Sequence, residues 1–246
     1  MGLIYQNYNR VILEEQNGIK RTRKIFGNKF CWQNETNSIK ILSANGIPVP
    51  RLVSTEYLKN TYEFVDYPSF EQVLRDNPKG ILPLLDFTER FYGLPHGGFF
   101  KFDDRKGNID SAVVSLIERG QINSALANKI KSVSDNYLRT NLAVVHGDFR
   151  PANFFGRINS VDAVIDFEFT GIDDPNKDLA YLWVGAVGID KSLNRVLKEQ
   201  FRRKDYYNQK AFEYWLTYVH LMIAINPRNK NVQSWITNLR QILNDA

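Results

Sequence analysis

Residues 144–153 of this chain read V-V-H-G-D-F-R-P-A-N, and residues 164–168 read V-I-D-F-E. An apolar run that reads as a strand delivers Asp148, Asn153 follows five residues later, and Asp166 ends a second apolar run eighteen residues beyond Asp148. Phosphoryl transfer uses these residue types: one carboxylate to orient an attacking hydroxyl, and oxygen ligands to hold Mg²⁺ against nucleotide phosphates. Asp148, Asn153 and Asp166 supply them in that order. Each alone would read as a turn residue, since Asp and Asn favour loops. Their joint spacing behind a strand is what points to chemistry.

The elements that must position them are legible in outline. Residues 8–26 read as a hairpin, with strands over 10–15 and 19–26 around the turn signal Asn17-Gly18. Residues 31–45 read as a helix closed by Gly46, with Pro48 and Pro50 beyond it. Trp32, Glu35, Ile39 and Leu42 share one face of that helix. A carboxylate in an apolar stripe is costly unless paired, and Lys24 is the natural partner; the bland alternative is that Glu35 borders the stripe and reaches water. Strands over 51–53 and 61–65 complete a small antiparallel sheet, and Ser69 with Gln72 has the spacing of a capping box that opens a helix. A loop-rich passage over 91–106 includes His96, read as a plain loop residue. Helices follow over 109–119 and 122–138, then a short hairpin (154–155 and 161–167) that presents Asp166 at its end. Residues 178–187, 193–204, 206–225 and 232–244 read as an all-helical tail.

The segments H-G-D-F-R-P-A-N and D-F-E resemble the kinase pair H-R-D-x-x-x-x-N and D-F-G, with Gly147 in place of the arginine and Glu168 in place of the last glycine. Those departures, with I-D-F-E-F-T-G-I-D-D-P-N-K-D-L-A over residues 165–180, resemble the aminoglycoside phosphotransferase and choline kinase superfamily, in the manner of its bacterial choline kinase-like proteins. The resemblance covers nearly the whole chain. It implies an α+β, protein-kinase-like two-lobed fold, with a reduced N-terminal antiparallel sheet lobe for nucleotide (residues 1–67) and a mostly helical C-terminal catalytic and substrate lobe (68–246). It implies ATP and Mg²⁺ as cofactors and a small-molecule hydroxyl as substrate.

Residue by residue, the resemblance makes Asp148 the catalytic carboxylate. Arg150, where protein kinases often carry a base near the transferred phosphoryl group, is catalytic too, or else half of a surface ion pair. Lys24 becomes the phosphate-pairing cation held by Glu35, and the hinge over 63–67 binds adenine through backbone near Glu63 and Val65. Asn153, Asp166 and Glu168 become metal ligands, with substrate contact or loop support as the alternatives for Glu168. His146 anchors the loop backbone and Asp178 braces it. The start of the chain departs from the pattern. Only nine residues precede Arg10, and G-L-I-Y-Q-N-Y over residues 2–8 resembles the end of a phosphate loop with Ile4-Tyr5 where a small polar pair is expected. That departure keeps a second reading open: a catalytically silent kinase-like module that binds nucleotide or a partner protein.

Composition bounds the rest. With 246 residues, 43% apolar and 24% charged, the chain has the make-up of a folded protein with a real core. No apolar run reaches membrane-span length and no basic-then-apolar leader opens the chain, which predicts a cytoplasmic protein. The lone Cys31 can form neither an intrachain disulfide nor a zinc site, in keeping with a reducing compartment. The net charge of +5 permits an anionic partner, but the bases cluster only locally, at residues 20–24 and 202–204, and read as solvated faces rather than a nucleic-acid groove. A polycationic aminoglycoside would need several carboxylates, yet the tail carries Lys191, Arg195, Lys198, Arg202, Arg203, Lys204 and Lys210. Together with the resemblance over residues 166–180, this makes choline or a related amino alcohol the leading substrate, with aminoglycoside, sugar and homoserine as alternatives. The tail aromatics Tyr181, Trp183, Tyr206, Tyr207, Phe212, Tyr214, Trp215 and Tyr218 could cage a quaternary ammonium, although helical aromatics are more often core. Oligomeric state is left open.

Overall fold

The computed structural model describes residues 9–102, 106–137, 141–226 and 229–245; the altered loop expected over residues 2–8 lies outside them. Strands β1 (Arg10–Gln16) and β2 (Ile19–Ile25) meet across Asn17 and Gly18, both at positive φ (52° and 75°), the backbone that a two-residue hairpin turn with matching twist requires. Helix α1 (Lys29–Ala44) starts two residues before the expected Cys31, because the Asn28 side chain accepts from Cys31 N and fixes the first turn. Strands β3 (Leu52–Glu56) and β4 (Lys59–Glu63) complete an antiparallel sheet of order β1-β2-β4-β3. After α2 (Phe70–Asp76), whose capping box at Ser69 and Gln72 forms as its spacing predicts, comes an unforeseen helix, α3 (Ile81–Tyr92). Its Pro83 obscures it in the sequence, yet a proline in the first turn removes no intrahelical hydrogen bond, and Leu84, Phe87, Thr88 and Phe91 line its buried face.

Helices α4 (Lys106–Glu118) and α5 (Ser124–Asp135) follow. Asn123 caps the start of α5 and Asn136 its end, which makes it shorter at both ends than the span 122–138. Strand β5 (Ala143–Val145) then enters the loop over residues 146–153, β6 (Phe154–Arg157) and β7 (Ser160–Val164) form the short hairpin, and β8 (Gly171–Asp173) returns to pair antiparallel with β5. β8 escapes sequence reading because three residues carry no periodicity. The tail comprises α6 (Asn176–Ile189), α7 (Leu193–Phe201), α8 (Gln209–Ile225) and α9 (Val232–Asp245). α8 begins at Gln209 rather than residue 206 because Asn208 accepts from Ala211 N.

One apolar cluster runs through the molecule, from Ile39, Leu42 and Tyr62 beside the sheet to Leu179, Leu197, Trp215 and Leu239 in the tail. Among the described residues no helix is long and apolar enough to cross a membrane. The sheet therefore shares its core with the helices, and the two signature loops lie where they meet.

Candidate active site

The segment after β5 is fixed by backbone demands before any chemistry is considered. Gly147 sits at φ 85°, and a Cβ there would lie 2.1 Å from the Phe169 carbonyl oxygen. Only glycine fits, which accounts for the absence of the arginine found at this place in protein kinases. The amides of His146 and Gly147 donate to Asp178 Oδ2 and Oδ1, each at 2.8 Å, from the first turn of α6. His146 is fully buried; its Nε2 donates to the Ile165 carbonyl (2.9 Å) and its Nδ1 accepts from Asp148 N (3.3 Å). Burial holds its pKa below the ordinary histidine value, so the neutral ring ties the Asp148 loop to the Asp166 loop. Burial pushes the Asp178 carboxyl up to about 7, against the pull of the two amides.

Three expected residues come together at the end of that loop. Arg150 forks onto Asp148, Nε to Oδ1 at 2.7 Å and Nη2 to Oδ2 at 2.6 Å, and Asn153 Nδ2 donates to Asp148 O (2.8 Å) and Oδ2 (3.0 Å). Both carboxylate oxygens are thus engaged, and the Asp148 charge raises the Arg150 pKa further above its usual range. The Asn153 carbonyl oxygen Oδ1 has no hydrogen-bond partner among the described residues.

A second set gathers on Lys24. Its Nζ lies 2.6 Å from Glu35 Oε2, 2.5 Å from Asp166 Oδ1 and 4.0 Å from Glu168 Oε2. Burial alone would lower the ammonium pKa, but these carboxylates outweigh it and the net shift is upward, so Lys24 stays charged. Glu35 is 2% exposed, and the Tyr62 hydroxyl donates to its other oxygen at 2.7 Å. The pair is buried but fully partnered, the condition under which a buried charge is tolerated. For Asp166 burial raises the pKa, yet Lys24 prevails and its carboxyl is held below the usual range. Burial pushes Glu168 up to about 7. Asp166 sits at φ 69°, a left-handed conformation that a non-glycine residue adopts at a cost of about 1–2 kcal/mol and that clusters at functional sites.

Several residues were not foreseen. Asn9 Nδ2 donates to Glu168 Oε2 at 2.5 Å, and Asn34 Nδ2 donates to the carbonyls of Glu168 (3.0 Å) and Thr170 (2.9 Å), which ties α1 to the Asp166 loop. An asparagine inside a helix gives no advance signal of this. Val11 pairs with Lys24 and Leu13 with Thr22 in the sheet register, so both share the face that carries Lys24, Asn60 and Tyr62. That face turns toward α1, yet Val11 and Leu13 are 64% and 59% exposed. They form an apolar overhang beside the Lys24 cluster, and the alternation in β1 could have revealed it. Glu63 does not join the cluster; its side chain pairs with Arg51 in water. Val65 lies past the end of β4, and its backbone amide and carbonyl make no hydrogen bond within the described residues.

Among the described residues no group of three or more His, Cys, Asp or Glu side chains could hold a metal alone. Mg²⁺ in nucleotide sites is held by one or two carboxylates, with phosphates and water completing the shell. Asp166, Glu168 and the unpartnered Oδ1 of Asn153 fit that open donor set and not a closed protein cage.

The fold has known counterparts. The profile of the phosphotransferase enzyme family (APH) matches residues 32–210, from α1 to the start of α8. No curated protein matches the sequence. Among solved structures, a choline/ethanolamine kinase family protein from Mesorhizobium loti superposes with a TM-score of 0.70 at 13% identity, over 98% of this chain and 90% of that one. Choline kinase LicA from Streptococcus pneumoniae gives 0.69 at 16% identity, over 100% and 92%. Aminoglycoside phosphotransferase APH(4)-Ia gives 0.73 at 11%, over 100% and 93%. At such identities the likeness establishes the fold, a small antiparallel sheet lobe on a helical lobe as in protein kinases. The profile match over most of the length establishes more: this chain belongs to the phosphotransferase enzyme family.

Proposed function

We propose that the chain is a cytoplasmic, ATP- and Mg²⁺-dependent kinase that transfers a phosphoryl group to a hydroxyl of a small molecule. The observation that carries this reading is Lys24, which a strand, a helix and a loop far apart in sequence converge on through Glu35 and Asp166. In this reading residues 1–67 serve as the nucleotide lobe and 68–246 as the catalytic and substrate lobe. The Val11 and Leu13 overhang covers the adenine, and backbone at Glu63 and Val65 reads its edge. Lys24, steadied by Glu35, pairs with nucleotide phosphates. Asn153, Asp166 and Glu168 hold Mg²⁺, which when bound offsets phosphate charge. Asp148 orients the acceptor hydroxyl and takes its proton, and Arg150 releases Asp148 to meet the transferred group, work that suits an always-charged fork of donors.

Choline or a related amino alcohol is the acceptor we favour, because a monocation needs only one or two carboxylates. Aminoglycosides, sugars and homoserine are the competing classes. Release of ADP measured against choline, ethanolamine, homoserine, glucose and kanamycin tests the proposal, with Asp148→Asn as the control. Turnover of choline or ethanolamine that the variant abolishes is expected; turnover of kanamycin or glucose alone overturns the acceptor assignment. The Arg150 fork, which occupies both oxygens of Asp148, favours one other reading, a silent nucleotide-binding module. Mg²⁺-dependent ATP binding without turnover of any acceptor would select it.

A further inference from the structure

A cavity of about 500 Å³ lies among α6, α7, α8 and α9. Neither Lys24, Asp148, Arg150, Asn153 nor Asp166 lines it. Its walls include Trp183, Phe212, Leu216, His220 and Trp235. Three of these rings gather in one group: the His220 ring lies 5.4 Å from the Trp235 ring and 6.3 Å from that of Trp183. Lys191, Lys198 and Arg202 also line it, all exposed and none ion-paired among the described residues. Adjacent Arg203 and Lys204 are instead neutralised by Glu199 and Glu89. Among the described residues the one carboxylate on the lining is Glu213, which accepts from Gln209 Nε2 at 2.9 Å.

His220 supplies the second observation. It is 1% exposed, and its Nδ1 donates to the Leu216 carbonyl at 2.8 Å, which leaves Nε2 as a lone-pair acceptor with no partner among the described residues. Burial pushes its pKa down to about 4, so the ring is neutral at neutral pH. A polar atom on a cavity wall that lacks a protein partner commonly finds one in water or a ligand.

We propose that this cavity is a second ligand site, separate from the phosphoryl-transfer centre, for a small anion with a flat apolar body and one hydrogen-bond donor. The body packs against Trp183 and Trp235, the donor meets His220 Nε2, and the anionic group faces Lys191, Lys198 and Arg202. A cation is disfavoured here by three charges against one. The cavity aromatics Trp183, Tyr207 and Phe212 therefore do not form a cage for choline.

Calorimetric titration of the full chain with indole-3-acetate, indole-3-acetamide and tryptamine, which share a body and differ in charge, tests the site without any turnover. The acetate should bind more tightly than tryptamine by on the order of tenfold at low salt. The Lys198→Gln, Arg202→Gln double variant should bring the three within about twofold. 1-Methylindole-3-acetate, which lacks the N–H donor, should bind several-fold more weakly than its parent to the native chain and equally to His220→Phe. Asp148→Asn should leave every affinity unchanged. Equal affinity for all three charges, no binding at millimolar concentration, or loss of binding in Asp148→Asn would each overturn the proposal. The two acetates settle the His220 role on the native chain alone if His220→Phe does not fold.

Discussion

Asp148 and Lys24 are held by opposite means. The first is engaged by donors from its own loop, the second by carboxylates from two separate elements, α1 and the Asp166 loop, and the expected effects of substitution differ accordingly. Asp148→Asn keeps shape and removes the accepting charge, so kcat should fall on the order of 10²–10⁴ while the melting temperature stays near that of the parent. Undiminished turnover in the Asp148→Asn variant, assayed with saturating acceptor, would remove Asp148 from its proposed role. Lys24→Met strands the buried Glu35 carboxylate and should cost about 3–5 kcal/mol. Adding Glu35→Gln should return about 1–3 kcal/mol of that, and strict additivity in urea unfolding of the double-mutant cycle would show that the two are not coupled. At this scale the sequence was informative where a residue type is rare in its setting. A glutamate inside an apolar helical stripe announces a partner, as Glu35 did. Asn34 and Asn9, which bond the Asp166 loop from α1 and from the approach to β1, gave no such sign, because a surface asparagine looks the same.

α6 is the element on which the candidate site rests, since its first turn supplies Asp178 to the loop over residues 146–153 and its Gly185 leaves only 2.6 Å between an added Cβ and Pro151 Cδ. The matching demand on the loop is Gly147. Gly147→Ala faces both a left-handed backbone and a carbonyl oxygen at 2.1 Å, so a loss of more than about 3 kcal/mol in denaturant unfolding is expected. A variant as stable as the parent would show that the loop can move away from Phe169. α8 offers a pH test. The folded pKa of His220 is about 4 against 6.5 for the free side chain, so the folded state binds fewer protons between those values. The stability this contributes is present above pH 6.5 and lost as pH falls toward 4, by about 3 kcal/mol. His220→Phe should show a smaller decline over that window, and parallel curves would place the proton elsewhere. The long amphipathic helix α1 was legible through its periodicity, while α3 hid behind a proline and β8 behind its brevity.

In the whole molecule, the sheet and the helices draw on one apolar cluster, and Asn34 and Lys24 add polar ties from the sheet side to the Asp166 loop. The sheet lobe is too small to bury a core of its own. Heating should therefore give one transition, with calorimetric and van't Hoff enthalpies equal; two resolved transitions would mean that the lobes fold independently. The family plan made this division into lobes legible, whereas the shared core depends on long-range packing that no local pattern encodes. Deep in the helical lobe, Lys177 is wholly buried, 3.3 Å from Asp173 and over the rings of Phe102 and Trp215. An amine-reactive reagent can meet that nitrogen only when the whole fold opens, whereas it meets rim lysines such as Lys191 and Lys198 at once. Mass spectrometry of the peptide that carries Lys177, sampled over hours, thus becomes a clock for global opening: a nucleotide or acceptor that binds the folded chain should slow it, which gives a way to find this protein's ligands before any turnover is seen.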